Sequence, residues 1–335
     1  MIISTCGFGN TGASAVLDFL RGYSTLSIQD KIEFQLVHMP DGLVDLKNIL
    51  VYSGDRVGSN AAIQRFYNLS KSMLAFRLGS AGCDFQKYTS DFISDLNPVF
   101  WNGYSNYDPY DISAINHSGL TGKIQRLSRG LLRKINPNFH NKFKNRYFLM
   151  TDEKSFDEAA KIYINKIFTS LNVNQDEDVV MDMLFSGVTP NAGMEFFEDP
   201  KAIVVYRDPV DLFIRANTHQ GTNGFFPCSD VRQFVRYYRM LMDKTVIKNN
   251  VLTVQYEDLI YNYYPTTQKI MDFIGRTERP ENEFKFFNPD ISVKYTRADL
   301  TYPGHDEEIE CIKANLPEFL YSFPENYTPV ADQAR

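Results

Sequence analysis

The stretch Gly7-Phe8-Gly9-Asn10-Thr11-Gly12-Ala13-Ser14 carries three glycines at the G-x-G-x-x-G spacing of a dinucleotide fingerprint. Read from Gly7 across four positions to Gly12-Ala13-Ser14, the same residues make a Walker-type phosphate loop with alanine in place of its lysine. Glycines let successive backbone N–H groups converge on an anion, and a helix starting there adds its partial positive charge. The chemistry indicated is phosphate binding, and the loop alone leaves open which phosphate. A dinucleotide site wants an acid about twenty residues further on, and Asp30 closes LSIQD at that distance. A nucleoside-triphosphate site wants a lysine for the outer phosphates and a Walker-B acid; Ala13 replaces the first, and Asp182 in VVMDML is available for the second. A tight turn that only packs helix against strand is the remaining reading.

Chemistry also gathers downstream. In KAIVVYRDPVDLFIRANTH a buried strand ends at Arg207, with Asp208 as helix N-cap and Pro209 as first helical residue. Ligands of open α/β sheets bind at the carboxyl edge, so Arg207 is expected in the crevice of the glycine loop. Arg215 lies seven residues beyond Asp208, on its helix face; it is either a second anion grip or the i, i+4 partner of Asp211 on a solvated face. A further strand ends at Tyr256-Glu257-Asp258-Leu259, whose acids suit architecture: anchoring the Arg207 loop or capping the next helix. Among proton carriers, His38 and His219 titrate near physiological pH but stand alone in sequence.

The elements that must position these residues are legible as apolar runs. Ile2–Cys6, Thr25–Gln29, Val179–Leu184, Ala202–Tyr206 and Val251–Gln255 read as buried parallel strands, each followed by a loop or helical pattern. Val16, Phe19 and Leu20 give the helix after the loop one apolar face, and Gly22 ends it. The expectation is a single α/β domain over 1–335: a parallel sheet flanked by helices, with a largely helical insertion over about 34–175. That insertion lacks strand rhythm and is the natural place for acceptor specificity.

Composition sets outer bounds. The 335 residues are 43% hydrophobic and 23% charged, with no apolar run long enough for a membrane span. The net charge of −6 argues against a general nucleic-acid binder. Cys6, Cys83, Cys228 and Cys311 show no metal-ligand spacing, so the expectation is free thiols in a reducing cytoplasm and no metal. With a strand expected from Ile2, no signal peptide is expected. One segment departs from the average: residues 121–146 hold eight Lys or Arg and no acid. Ile124, Leu127, Leu131 and Ile135 recur there at helical spacing. This basic helix either packs by its apolar stripe or docks peripherally on an anionic membrane or acidic glycan.

A Gly-rich loop near the start, a strand ending in Arg-Asp-Pro, and a later Tyr-Glu-Asp-Leu before a helix ending in Phe-x-Gly together resemble the sulfotransferases. The resemblance covers about 1–33 and 179–323. It implies a P-loop-like fold, with 3′-phosphoadenosine 5′-phosphosulfate (PAPS) as sulfuryl donor and a carbohydrate or related hydroxyl as acceptor. It implies that Gly9, Asn10, Thr11, Gly12, Ala13 and Ser14 surround the donor's 5′-phosphosulfate, and that Arg207 holds its 3′-phosphate. The family's companion serine is here Arg215, whose fork can also grip a phosphate. Lys294 and Arg297 fall in the family's basic loop over the nucleotide. Its loop lysine is Asn10, a departure that removes a charge from the leaving group; Lys31 is the nearest basic residue. Glu33, twenty-three residues past Asn10, falls where glycan-modifying members keep their base, with Asp182, read as interior to its strand, in reserve. The alternatives are a nicotinamide-dependent oxidoreductase using Asp30 for the ribose, a catalytically silent nucleotide binder, and a glycan kinase.

Overall fold

The computed structural model describes residues 1–103, 124, 127–128, 131, 134–135, 144–174, 177–218, 226–245 and 247–325. Most of the basic segment 121–146, and His219, lie outside them. Of that segment's apolar stripe, Ile124, Leu127, Leu131 and Ile135 are all exposed.

In chain order the strands are β1 (Ile2–Gly7), β2 (Leu26–Gln29), β3 (Val99–Gly103), β4 (Lys144–Phe148), β5 (Asp178–Asp182), β6 (Pro200–Tyr206) and β7 (Val251–Gln255). The longer helices are α1 (Ala13–Leu20), α2 (Arg56–Asn68), α3 (Met73–Ser80), α4 (Phe85–Asp95), α5 (Glu153–Ser170), α6 (Pro209–Thr218), α7 (Val231–Lys244), α8 (Tyr263–Phe273) and α9 (Asp306–Asn315). The chain groups into two compact units, Met1–His38 with Asn172–Arg335, and Met39–Leu171.

The first unit is an α/β layer structure. Its sheet runs β2-β5-β1-β6-β7, with every pairing parallel. Parallel strands need crossover connections and are covered on their faces, hence the continuous apolar runs that betray them in the sequence. All five expected strands form. The exception in detail is β5, which stops at Asp182 rather than Leu184: Met183 turns left-handed at φ 54°. Asp182 therefore closes its strand instead of lying inside it. Val16, Phe19 and Leu20 of α1 pack on Ile3, Val180, Ile203, Val205 and Val254, as the helical spacing predicts. A second cluster joins Phe213 of α6, Phe234 of α7 and Ile312 of α9.

The second unit is largely helical. Phe66, Phe92, Phe156 and Tyr163 form its aromatic core, Phe92 and Tyr163 stacking at 4.7 Å. It also holds an antiparallel hairpin, Val99–Gly103 with Lys144–Phe148, that the sequence pattern does not announce. Among the described residues, no helix is long and apolar enough to cross a membrane.

Candidate functional site

The glycine loop is built from left-handed backbone. Gly9, Asn10 and Gly12 have φ of 83°, 56° and 94°, the region open to glycine and tolerated by asparagine. Its close packing is steric as well: a Cβ on Gly12 would stand 2.3 Å from the Tyr256 ring. Thr11 is buried, its hydroxyl turned inward to accept from the Phe8 N–H at 3.3 Å. Asn10 and Ser14 are exposed at the mouth, and Ala13 opens α1.

Arg207 reaches this loop. It leaves the end of β6, and its guanidinium donates to the Asn10 carbonyl at 3.1 Å, across 197 positions of sequence. It also donates to the Tyr295 carbonyl and lies 4.6 Å over the Tyr256 ring, a cation–π contact. Arg215, two turns along α6, donates to the Lys294 carbonyl at 2.8 Å and lies over Tyr295. Burial and the Arg207 charge lower its pKa. Both side chains are nearly buried, and the Nε of each finds no hydrogen-bond partner among the described residues. A buried guanidinium N–H without an acceptor is costly, and an anion supplies one.

Acids lock this arrangement from behind. Asp208 caps α6 through the N–H groups of Val210 and Asp211 and accepts from Tyr321 N–H at 2.9 Å. Such a cap contributes about 1 kcal/mol. Glu257 accepts the Asp208 N–H at 3.0 Å, so the YEDL acid anchors the Arg207 loop, the role its position suggests. Asp211 does not sit on a solvated face: it is buried and accepts from the N–H groups of Arg297 and Ala298. Burial pushes Asp211 up to about 7, against the pull of Arg207, and Glu257 up to about 8. A buried carboxyl holding its proton is less expensive than a third unpaired charge.

Between loop and arginines lies a cavity of about 380 Å³, lined by Asn10, Gly12, Ser14, Arg207, Arg215 and Tyr256, with Asp18, Phe286 and Tyr295 on its walls. That is within the size range of small-molecule sites. Lys294 gives its carbonyl to Arg215, and its ammonium stands 5.0 Å over the Tyr295 ring. Arg297 turns to Asp299 at 3.0 Å, away from the lining. Glu33 is exposed beyond β2 and accepts from Gln35 at 2.9 Å. Asp30 is engaged by Arg21 at 2.5 Å. The aromatic wall of Phe286, Phe287 and Tyr295 escapes sequence reasoning; its trace is the run FKFF beside the basic loop, on irregular backbone without a period to read. Among the described residues, no group of three or more His, Cys, Asp or Glu is placed to hold a metal ion.

Residues 132–280 match a family model described as Sulfotransferase family. The match includes Arg207, Arg215 and Tyr256-Glu257-Asp258-Leu259, so the resemblance read from those motifs holds; the glycine loop lies outside it. No curated protein matches in sequence. Among solved structures, the sulfotransferase domain from the Synechococcus PCC 7002 olefin synthase aligns at 15% identity and TM-score 0.39, covering 97% of this chain and 96% of that one. The sulfotransferase domain from the curacin biosynthetic pathway aligns at 12% identity and TM-score 0.38, covering 94% and 96%.

Proposed function

We propose that this chain, which matches the sulfotransferase family over 132–280, is an enzyme that transfers a sulfuryl group from PAPS to a hydroxyl of a carbohydrate or related acceptor. The observation that carries the reading is the contact of Arg207 with the Asn10 carbonyl, which joins a buried cation to the phosphate loop at one sheet edge. The free Nε–H groups of Arg207 and Arg215 fit the 3′-phosphate of such a donor, and they leave the N–H groups at the start of α1 and the Ser14 hydroxyl for its 5′ end. Gly12, in contact with Tyr256, lets the loop backbone approach that phosphate. When bound, PAPS supplies the sulfuryl group and a phosphate leaving group. Asn10 donates a neutral hydrogen bond where a lysine would place a charge, and Glu33 is the carboxylate on the acceptor side. Three of the thiols, Cys6, Cys83 and Cys228, are buried and outside any disulfide among the described residues, which suits a cytoplasmic setting.

The test is a thermal unfolding titration with adenosine 3′,5′-bisphosphate (PAP), beside NAD and ATP with magnesium. PAP at a hundred times its Kd is expected to stabilise the fold by about 2.7 kcal/mol, with neither competitor matching it. Stabilisation by NAD alone overturns the reading in favour of an oxidoreductase.

A further inference from the structure

Asp182 has no part in the cavity just described, yet the end of its strand is held with unusual care. The next residue, Met183, is left-handed at φ 54°, which costs a non-glycine residue roughly 1 kcal/mol or more. Its N–H donates to the Thr5 carbonyl at 2.9 Å, and its carbonyl meets His38 Nε2 at 3.0 Å. Two residues on, Phe185 N–H donates to the Ser4 hydroxyl at 3.1 Å. Gly187 then passes so close to the phosphate loop that a Cβ would stand 2.3 Å from the Gly7 carbonyl oxygen. Contacts to β1, to the loop's first glycine and to the segment after β2 thus fix where Asp182 sits.

The register says which way it faces. Ile3 pairs with Val180 and Thr5 with Asp182; side chains alternate along a strand, so Thr5 and Asp182 share the face that Ile3 and Val180 present to α1. On that face the Thr5 hydroxyl is fully buried and has no partner among the described residues. The charges that act on Asp182 come from α1 and from the segment after β2. Asp18 on α1, which also lines the donor cavity, and Asp30 and Glu33 beyond β2 act on it as like charges. Arg21 is spent on Asp18 and Asp30. On β1 the Cys6 thiol is pushed up to about 12 by burial, and burial holds His38 below its usual range. Lys31 is exposed.

We propose that Asp182 is the base that takes the proton from the attacking hydroxyl, and that exposed Glu33 hands this proton on to solvent. The inference rests on the sulfuryl-transfer reading and divides between two carboxylates a task the sequence gives to one. In the step, the acceptor O–H bond breaks toward Asp182 as the new O–S bond forms. The S–O bond to the donor's 5′-phosphate breaks, and that phosphate keeps the electron pair. Burial first, and the neighbouring carboxylates second, raise Asp182 to about 6, close to the working range a general base needs.

Water can serve as acceptor, so the experiment needs PAPS alone: sulfate release between pH 5 and 9 by the full chain, by Asp182→Asn and by Glu33→Gln, with PAP binding followed by thermal unfolding. Asp182→Asn is expected to lose ~10²–10⁴ of the rate with PAP stabilisation intact. Glu33→Gln is expected to lose less and to keep the acidic limb near pH 6. A merely structural carboxylate would lower the unfolding midpoint when replaced. Asp182 instead carries a raised pKa, whose penalty grows between about pH 4 and 6, so Asp182→Asn should match the parent at pH 4 and unfold later above pH 6. An Asp182→Asn protein that binds PAP and releases sulfate at the parent rate overturns the inference alone. A parent that binds PAP and releases no sulfate at any pH is the silent nucleotide binder, and overturns the sulfuryl-transfer reading together with the inference. A parent that PAP does not stabilise overturns the sulfuryl-transfer reading itself.

Discussion

Asn10, which the sulfuryl-transfer reading sets where the family keeps its lysine, has a backbone that explains its type. At φ 56° it is left-handed, a conformation that asparagine tolerates because its short amide hydrogen-bonds locally. Only its carbonyl is used by Arg207, so a substitution keeps that contact. Asn10→Lys would therefore return a charge to the transferring group at a modest conformational cost. Sulfate release from PAPS is expected to rise about 10²–10³-fold, the size of effect seen when single donors to a developing charge are removed. The unfolding midpoint should fall by only about 2 °C. An unchanged rate would place the transferring group away from Asn10.

At the scale of elements, the strand end of β7 supports the strand end of β6 through one buried carboxyl. Glu257 is 0% exposed, with Oε1 on the Asp208 N–H and Oε2 without a hydrogen-bond partner among the described residues. Its pKa is raised to about 8, chiefly by burial, so the folded chain holds a proton that the unfolded chain has released. Its contribution is fully present below about pH 4.5 and is lost as pH rises toward 8. Glu257→Gln keeps an acceptor for the Asp208 N–H and removes that titration. Urea unfolding should show the variant gaining on the parent between pH 5 and pH 8.5; parallel curves would mean Glu257 is ionised throughout. This element was legible in the sequence as YEDL because a polar pair closing an apolar strand stands out. The inner strands β1, β5 and β6 were legible for a related reason, since strands buried on both faces are rich in apolar residues. The end of β5 was not: Met183-Leu184-Phe185 continues the apolar run, and contacts with β1 and His38 decide where pairing stops. Nor was the hairpin of β3 and β4. Its strands lie some forty residues apart, with Val99 and Phe100 exposed, so neither alternation nor a turn signal marks it.

At the scale of the molecule, the candidate site belongs to one discontinuous unit and draws on three distant segments. The loop at 9–14, the start of α6 at 207–215 and the stretch at 286–297 meet only through tertiary contacts: Arg207 on the Asn10 and Tyr295 carbonyls, Arg215 on the Lys294 carbonyl. The first two segments announced themselves by glycine spacing and by Arg-Asp-Pro. Within the third, Lys294 and Arg297 drew notice for their charge, yet the cavity takes its lining from Phe286, Phe287, Ser292 and Tyr295. Sequence reasoning favours charge over shape because charge is visible one residue at a time. A ligand that bridges the arginines and the loop must hold all three segments at once, since Arg207 gives hydrogen bonds to both of the others. Hydrogen exchange read by mass spectrometry is then expected to slow on addition of PAP in 9–14, 207–215 and 286–297 together. Amides of α2 through α5, in the Met39–Leu171 unit, should exchange as before. Local opening carries its own free energy in each segment. Protection confined to the glycine loop would therefore show a phosphate held by backbone alone, and would take the arginine pair out of the site.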